Sequence, residues 1–248
     1  MDTRIQVFPT TAALTYGAAE KISAVLSAAQ VNRGVVSLAL SGGSTPRAVY
    51  ELLASPVYRN RIDWQHLQIF WGDERCVPPE SSESNYRMGY QALLRHVPVP
   101  SRHIHRIRGE LPPAEAARAY EIELHNAFGI APAEIPQLSL VLLGLGDDGH
   151  TASLFPGSSA ARESRRLVAE TFVERLSTWR VTMTYPLLKN AGAILFLVSG
   201  ASKSEIVRSV VQELRPELPA SAFVRFADTV TWYLDHDAAS SLDQAESI

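Results

Sequence analysis

The chain alternates short, nearly continuous apolar runs with stretches in which apolar residues recur at helical spacing. Continuous runs of this length are typical of strands that are covered on both faces of a sheet. Helical spacing begins at Thr10 and ends near Asn32. Strands are predicted at Ile5–Phe8, Val35–Leu40, Leu67–Trp71, Leu138–Leu143 and Ala193–Val198. Strands separated by helical stretches indicate a parallel sheet of the α/β class.

Two further helical patterns, Tyr86–Leu94 and Pro113–Phe128, lie on either side of the Pro- and His-containing segment Val97–Gly109. No stretch of linker-like composition separates this part from the rest of the chain. We therefore expect a single domain over residues 1–248, with a mostly parallel, Rossmann-like layered sheet flanked by helices and a small helical elaboration.

Composition excludes several classes of protein. The 248 residues include 26 acidic and 23 basic side chains, so the net charge of −3 gives no general attraction for nucleic acid or an anionic membrane. No apolar run approaches the roughly 18 residues that a membrane-spanning helix needs. The one cysteine, Cys76, cannot form an internal disulfide, and the start of the chain has no presequence character. We expect a cytoplasmic protein without nucleic-acid, membrane or obligate protein partners.

Small polar turns follow four of the predicted strands. They are Ser41–Thr45, Gly72–Arg75, Gly144–His150 and Ser199–Lys203. The carboxyl ends of parallel strands share one edge of a sheet, and this is the edge where ligands bind. We expect these turns to meet there in one binding site.

The first turn has the features of an anion-binding turn. Gly42 and Gly43 allow the backbone to approach a ligand, and Ser44 or Thr45 suits the N-cap of a helix whose first position suits Pro46. Free N–H groups at a helix N-terminus favour phosphate. A tight glycine turn with an ordinary cap is the alternative. The ending of a Walker loop is absent, so nucleotide hydrolysis is not implied.

Gly144, Gly146 and Gly149 match the spacing of a dinucleotide-binding turn. Such a site needs a helix directly after the last glycine, whereas Pro156 and Gly157 follow within eight residues. We do not expect a dinucleotide here.

His150 is a candidate general base. Asp148 precedes it by two residues across a glycine, so its carboxylate can bend back to hold the imidazole in one tautomer. A histidine that only satisfies a helix start is the alternative.

Two cations can reach the same edge. Arg180 opens a strand-like segment and Lys203 follows the last apolar run, so together they can balance a phosphate dianion. Lys203 is the stronger candidate because lysine occurs only three times in the chain, whereas Arg180 can be an ordinary surface arginine.

Other catalytic groups are not indicated. His103 and His105 have a spacing that some metal sites use, but no Cys or Asp cluster completes the set, so we expect them in a surface loop and predict no metal. Cys76 has no histidine nearby in sequence, and no nucleophile-elbow pattern is present, so a covalent nucleophile is not supported.

Four segments together resemble, in order, the motifs of the 6-phosphogluconolactonase family: Ser41–Pro46, Trp71–Arg75 with Ser84–Tyr86, Leu143–Pro156 and Arg180–Thr182. The resemblance covers essentially the whole chain. It implies hydrolysis of a sugar-phosphate lactone, a small-molecule substrate, without metal or organic cofactor. It also implies that Asp148, His150, Arg75 and Asp73 are catalytic, with Arg75 offsetting oxyanion charge and Asp73 orienting sugar hydroxyls or Arg75.

The resemblance leaves two alternatives. Glucosamine-6-phosphate deaminases share the phosphate turn and the Asp-Gly-His motif, but they continue with an Asn-Glu pair where this chain has Leu154 and Phe155, which cannot transfer protons. A non-catalytic sugar-phosphate sensor is the second alternative, and His150 with Arg75 argues against it.

Overall fold

The computed structural model describes residues 4–31, 34–226 and 228–243. Its main sheet has six parallel strands in the order β1-β9-β8-β5-β2-β3. These strands are β1 (Arg4–Phe8), β2 (Val36–Leu40), β3 (Leu67–Trp71), β5 (Leu140–Leu143), β8 (Ile194–Val198) and β9 (Val230–Asp235). The predicted α/β fold with a mostly parallel sheet is confirmed.

Seven α-helices flank the strands within the described ranges. They are α1 (Thr11–Val31), α2 (Ser44–Leu53), α3 (Asn85–Ala92), α4 (Pro113–Phe128), α5 (Ser159–Arg162), α6 (Tyr185–Lys189) and α7 (Ser204–Val211). The predicted end of the first helix near Asn32 lies outside the described residues. None of these helices is long and apolar enough to cross a membrane.

The strand order explains why the four polar turns lie close together. Every residue of β2, β5 and β8 is buried, because helices cover both faces of the sheet. The four strands that precede the polar turns, β8, β5, β2 and β3, are consecutive neighbours in the sheet. The order reverses at β2, which pairs with both β3 and β5, so the turns surround a topological switch point.

A second sheet was not predicted from the sequence. It has three antiparallel strands in the order β4-β7-β6, namely β4 (Asp73–Arg75), β7 (Thr178–Met183) and β6 (Val168–Val173). Only β7 overlaps a segment that the sequence marks as strand-like. Gly72 joins the two sheets, because its N–H donates to Leu40 O and its carbonyl accepts from Met183 N. The second sheet is thus placed directly beside the carboxyl end of β3.

The start of α2 differs from the prediction. Gly43 is the N-cap, so Ser44 and Thr45 belong to the first turn and Pro46 is the third helical residue. No side chain of the described residues caps this end. A glycine cap leaves the first N–H groups of the helix without a side-chain acceptor, as an anion site at a helix N-terminus requires.

Candidate active site

The polar turns meet in one cavity of about 330 Å³ at the carboxyl edge of the main sheet. The second sheet forms its opposite wall through β4, β7 and the hairpin tip between β6 and β7. The cavity is lined by Ser41, Gly42, Gly43, Asp73, Arg75, Asn85, Gly144, Leu145, Gly146, Asp147, His150, Ala152, Phe155, Arg175, Leu176, Arg180 and Lys203. The turns that were expected to converge therefore do so.

The glycine turn contributes backbone to the cavity wall, but not all of its predicted residues. Gly42 and Gly43 line the cavity, whereas Ser44 and Thr45 lie beside it, and the Thr45 hydroxyl is 2.7 Å from Ser199 Oγ. A Cβ at Gly42 would come within 2.1 Å of Asn85 Oδ1. The turn can pack against the Asn85 side chain only because position 42 has no side chain.

His150 and Asp148 form a hydrogen-bonded pair. The Nδ1–H of His150 donates to Asp148 Oδ1, so Nε2 is the ring nitrogen left to accept a proton. Burial raises the pKa of Asp148, but the hydrogen bond and charge of His150, with the charge of Arg175, outweigh it and lower the pKa to about 2. Asp148 is therefore ionised near neutral pH and can hold the imidazole in one tautomer.

One of the three glycines with dinucleotide-like spacing, Gly146, lies against this histidine. A Cβ at Gly146 would lie 2.0 Å from the His150 ring, so a glycine is needed where the ring packs on the turn. The first helix after Gly149 is α5, which begins ten residues later and contains four residues. Gly146 is therefore needed for the packing of His150, and the long helix of a dinucleotide site does not follow Gly149.

Asp73 connects three segments at the base of the cavity. Its carboxylate accepts hydrogen bonds from Ser153 Oγ at 2.6 Å and from Asn85 Nδ2 at 3.3 Å, and the side chain is buried. Ser153 also donates its N–H to Thr182 Oγ1. Asp73 therefore fixes the segment after His150 against β4, and Ser153 fixes the same segment against β7.

Arg75 and Arg180 lie opposite each other on β4 and β7. Like charges at directly opposed positions repel each other. The Nε atoms of both guanidinium groups are buried and have no hydrogen-bond partner in the part of the chain that the structure describes. Burial, followed by the charge of Arg75, lowers the pKa of Arg180. An anion between the two guanidinium groups would satisfy donors and relieve repulsion, so the pair is a candidate anion clamp.

Lys203 lines the same cavity from the turn after β8. Its Nζ pairs with the carboxylate of Asp147, which is exposed. Asp147 thereby fixes the direction of the ammonium group at the rim of the cavity. Arg180 and Lys203 therefore reach one site from different sheets.

Arg175 and Phe155 line the cavity beside the catalytic pair and are among the site residues that were missed from the sequence. Arg175 lies at the tip of the β6–β7 hairpin and pairs with Asp148 Oδ2 at 3.1 Å. The Phe155 ring lies 4.2 Å from the His150 ring, centre to centre, and 5.6 Å from the Arg175 guanidinium carbon. The sequence uses Phe155 only as an argument against deaminase chemistry, and Arg175 lies in a hairpin that the sequence does not predict.

Glu74 supports the site without lining it. The carboxylate is buried and accepts hydrogen bonds from the backbone N–H groups of Arg75, Asn85 and Tyr86 and from the Ser84 hydroxyl. Burial raises its pKa despite these donors. Glu74 thus holds β4 on the N-terminus of α3.

The surface-loop expectation is wrong for His105. Its side chain is buried, with Nδ1 2.6 Å from Glu123 Oε1, Nε2 2.7 Å from Gln68 Oε1 and the ring stacked on Phe70. Two partners from other elements hold the ring, and sequence spacing could not show this. Within residues 4–31, 34–226 and 228–243, no three His, Cys, Asp or Glu side chains come together as a metal site requires.

Cys76 is expected to be dispensable for catalysis. Burial raises the pKa of its thiol to about 11, so almost no thiolate forms near neutral pH. The Cys76→Ser variant should retain at least about half of the parent kcat, since activity does not depend on a thiolate. Turnover of the variant, and of the parent after iodoacetamide treatment, tests this; loss of activity in both would contradict it.

Comparison with known proteins shows what this chain resembles. Residues 9–232 match the family model described as glucosamine-6-phosphate isomerases/6-phosphogluconolactonase. A 6-phosphogluconolactonase of Nostoc sp. is 36% identical over 244 residues, covering 98% of this chain and 99% of the relative.

Solved structures show the same likeness. The 6-phosphogluconolactonase from Trypanosoma cruzi superimposes with a TM-score of 0.85 at 34% identity, with 98% of each chain covered. A monomeric glucosamine-6-phosphate deaminase shares the fold with a TM-score of 0.80 at 21% identity, covering 96% of this chain and 99% of the deaminase.

Proposed function

Since the chain belongs to the glucosamine-6-phosphate isomerase/6-phosphogluconolactonase family, we propose that it hydrolyses 6-phospho-D-glucono-1,5-lactone to 6-phospho-D-gluconate. This reaction is the second step of the oxidative pentose phosphate pathway. The observation that carries the proposal is that His150, held by Asp148, lines a cavity that also contains a glycine turn and two arginines. Their Nε atoms have no hydrogen-bond partner among the described residues. The proposal places the enzyme in the cytoplasm. A chain with one cysteine forms no internal disulfide and therefore needs no oxidising compartment.

The substrate phosphate is held by the turn and by two cations. The N–H groups at the start of α2, behind Gly42 and Gly43, favour a dianion, and Arg180 and Lys203 supply balancing charge. Ser44 and Thr45 contribute their backbone N–H groups in the first turn of α2. With the phosphate fixed, the lactone carbonyl is presented to His150, and positioning accounts for part of the rate enhancement.

The reaction consumes one water. His150 Nε2 removes a proton from water as its oxygen bonds to C1, and the carbonyl electrons move onto the exocyclic oxygen, where Arg75 offsets the charge. When the oxyanion collapses, the bond from C1 to the ring oxygen breaks, and the imidazolium gives its proton to that oxygen. Asp148 keeps Nδ1 protonated throughout, and Asp73 orients the sugar hydroxyls.

Deaminase chemistry is not favoured by the residues around His150. The carboxylate that such a reaction needs after the histidine is replaced by Phe155, whose ring packs against the imidazole. Leu154, the preceding residue, is completely buried. Apolar side chains at this position suit a reaction in which His150 has only one water molecule to deprotonate.

The direct test is a turnover assay on freshly prepared phosphogluconolactone at controlled pH. The purified chain, without added metal, cofactor or protein partner, should consume the lactone well above the spontaneous rate. Unphosphorylated gluconolactone should be a poor substrate. A chain that binds 6-phosphogluconate but does not accelerate lactone loss would be a sensor, and ammonia release from glucosamine 6-phosphate would support the deaminase.

Lys203→Met should raise KM about tenfold with little change in kcat, since one charge-assisted contact to phosphate is lost. The effect is moderate because Lys203 already pairs with Asp147, an exposed partner. Lys189→Met is the matched control, because Lys189 lies over the rings of Tyr185 and Phe226 and does not line the cavity. Steady-state kinetics of both variants check this; an unchanged KM in Lys203→Met would remove Lys203 from the phosphate site.

A further inference from the structure

Arg175 reaches the catalytic pair from the second sheet. It lies in the 3₁₀ turn Glu174–Leu176 that joins β6 to β7, and its guanidinium pairs with Asp148 Oδ2. The other carboxylate oxygen, Oδ1, accepts from His150. One carboxylate is therefore shared between the imidazole and a cation that comes from a different part of the chain.

A second contact closes this arrangement. The Arg175 guanidinium lies over the Phe155 ring, and the other neighbour of that ring is His150. The side chains of Arg175, Asp148, His150 and Phe155 thus form a ring of contacts. Within it, Arg175 contacts both groups that fix the orientation of His150, Asp148 and Phe155. Phe172 packs against Trp179 across the same hairpin and supports its tip.

We infer that Arg175 is a positioning residue that, through Asp148, holds His150 in the orientation for proton transfer, and that its charge opposes protonation of the imidazole. The inference deepens the proposed function and rests on it. Arg175 does not need to contact the substrate in this role, since it acts through Asp148 and Phe155.

The direction of the effect follows from charge. A cation beside the pair opposes protonation of His150, and its pull on Asp148 Oδ2 reduces the negative charge available to an imidazolium. The other charged groups that face His150 across the cavity are Asp147 paired with Lys203, Asp73, Arg75 and Arg180. Arg175 differs from them because it binds the carboxylate that His150 itself uses.

The exposure of the pair sets the scale of the effect. The Arg175 side chain is 53% exposed and that of Asp148 is 31% exposed, so their ion pair adds little to the free energy of unfolding and variants at position 175 should fold. Water also screens the charge, so the expected shift in pH dependence is about half a unit per charge removed and shrinks in high salt.

The experiment is a charge series at position 175. The acidic limb of the kcat/KM profile should stay near the parent position in Arg175→Lys, move to higher pH by about half a unit in Arg175→Gln and move further in Arg175→Glu. At the alkaline plateau, Arg175→Gln should lose about three- to tenfold in kcat because the imidazole is less well oriented.

Arg61→Gln is the matched control. Arg61 also pairs with a carboxylate, Glu20, and also lies over an aromatic ring, that of Tyr58, but it precedes β3 at the opposite end of the sheet. The substitution removes the same charge and the same kinds of contact. It should leave the acidic limb in place.

A readout without substrate separates this inference from the proposed function. The His150 ring proton, assigned by its loss in His150→Asn, should titrate in NMR spectra at higher pH in Arg175→Gln than in the parent. An unmoved titration and acidic limb would overturn the inference even if the lactone is hydrolysed, and a raised KM alone would make Arg175 a binding group. Absence of lactone turnover in the parent would overturn the proposed function but leave the titration result standing.

Discussion

Replacing His150 with asparagine is expected to lower kcat by about 10²- to 10⁴-fold, the range that general-base assistance supplies. Asparagine cannot accept a proton at neutral pH, so water must attack the lactone without a base. KM should change little, because the substrate phosphate is held by Arg180, Lys203 and the α2 N-terminus rather than by the imidazole. Steady-state kinetics, corrected for spontaneous lactone hydrolysis, measure both parameters.

His66→Asn provides a matched control for this substitution. His66 also pairs through Nδ1 with an aspartate, Asp63 at 2.7 Å, but it is exposed and lies before β3, away from the cavity. It should keep the parent kcat and KM. A His150→Asn enzyme with parent turnover would show that the water is activated by another group, and the mechanism would then be wrong.

Much of the site could be predicted because its positions follow from strand ends. The buried runs identified β2, β3, β5 and β8, and parallel strands must present their following turns at one edge. Asp148 and His150 could be paired from sequence because a carboxylate two residues before an imidazole, across a glycine, can bend back to reach the ring. The convergence of Gly42, His150 and Lys203 on one cavity needed no knowledge of side-chain packing.

The rest depends on contacts that sequence periodicity does not encode. β4 has only three residues, two acidic and one basic, and β6 has an exposed Phe172 among buried neighbours, so neither shows a clear strand pattern. Without these strands the hairpin tip, and with it Arg175, could not be placed. His105 was placed on the surface because its partners, Glu123 and Gln68, lie far away in the chain.

The sequence also could not show that Arg75 and Arg180 lie opposite each other, and this arrangement determines what the loss of Arg180 should do. The two residues were predicted to serve different ends of the substrate, whereas the antiparallel register sets them directly opposite each other. Each has a buried Nε with no partner within residues 4–31, 34–226 and 228–243, and burial and the charge of Arg75 lower the pKa of Arg180. The free protein therefore keeps a repulsive, incompletely bonded pair. A phosphate bound to Arg180 would offset this repulsion and leave Arg75 for the oxyanion.

Arg180→Met should consequently weaken substrate binding without lowering stability. KM should rise about 10²- to 10³-fold, as expected when a buried charge-assisted contact to the substrate is removed. Thermal stability of the free protein should rise or stay level, since a buried, partly unsatisfied cation is replaced by an apolar side chain of similar length. Inorganic phosphate should raise the Tm of the parent by mass action but not that of the variant.

Arg166→Met separates this explanation from a general effect of losing an arginine. Arg166 is partly buried and pairs with Glu170 at 2.9 Å, and it does not line the cavity, so its removal leaves a carboxylate without its partner. That variant should lose stability and keep the parent KM, the reverse of Arg180→Met. If Arg180→Met unfolded more readily than Arg166→Met while still binding phosphate, Arg180 would be a structural arginine and the anion clamp would have to be sought elsewhere in the cavity.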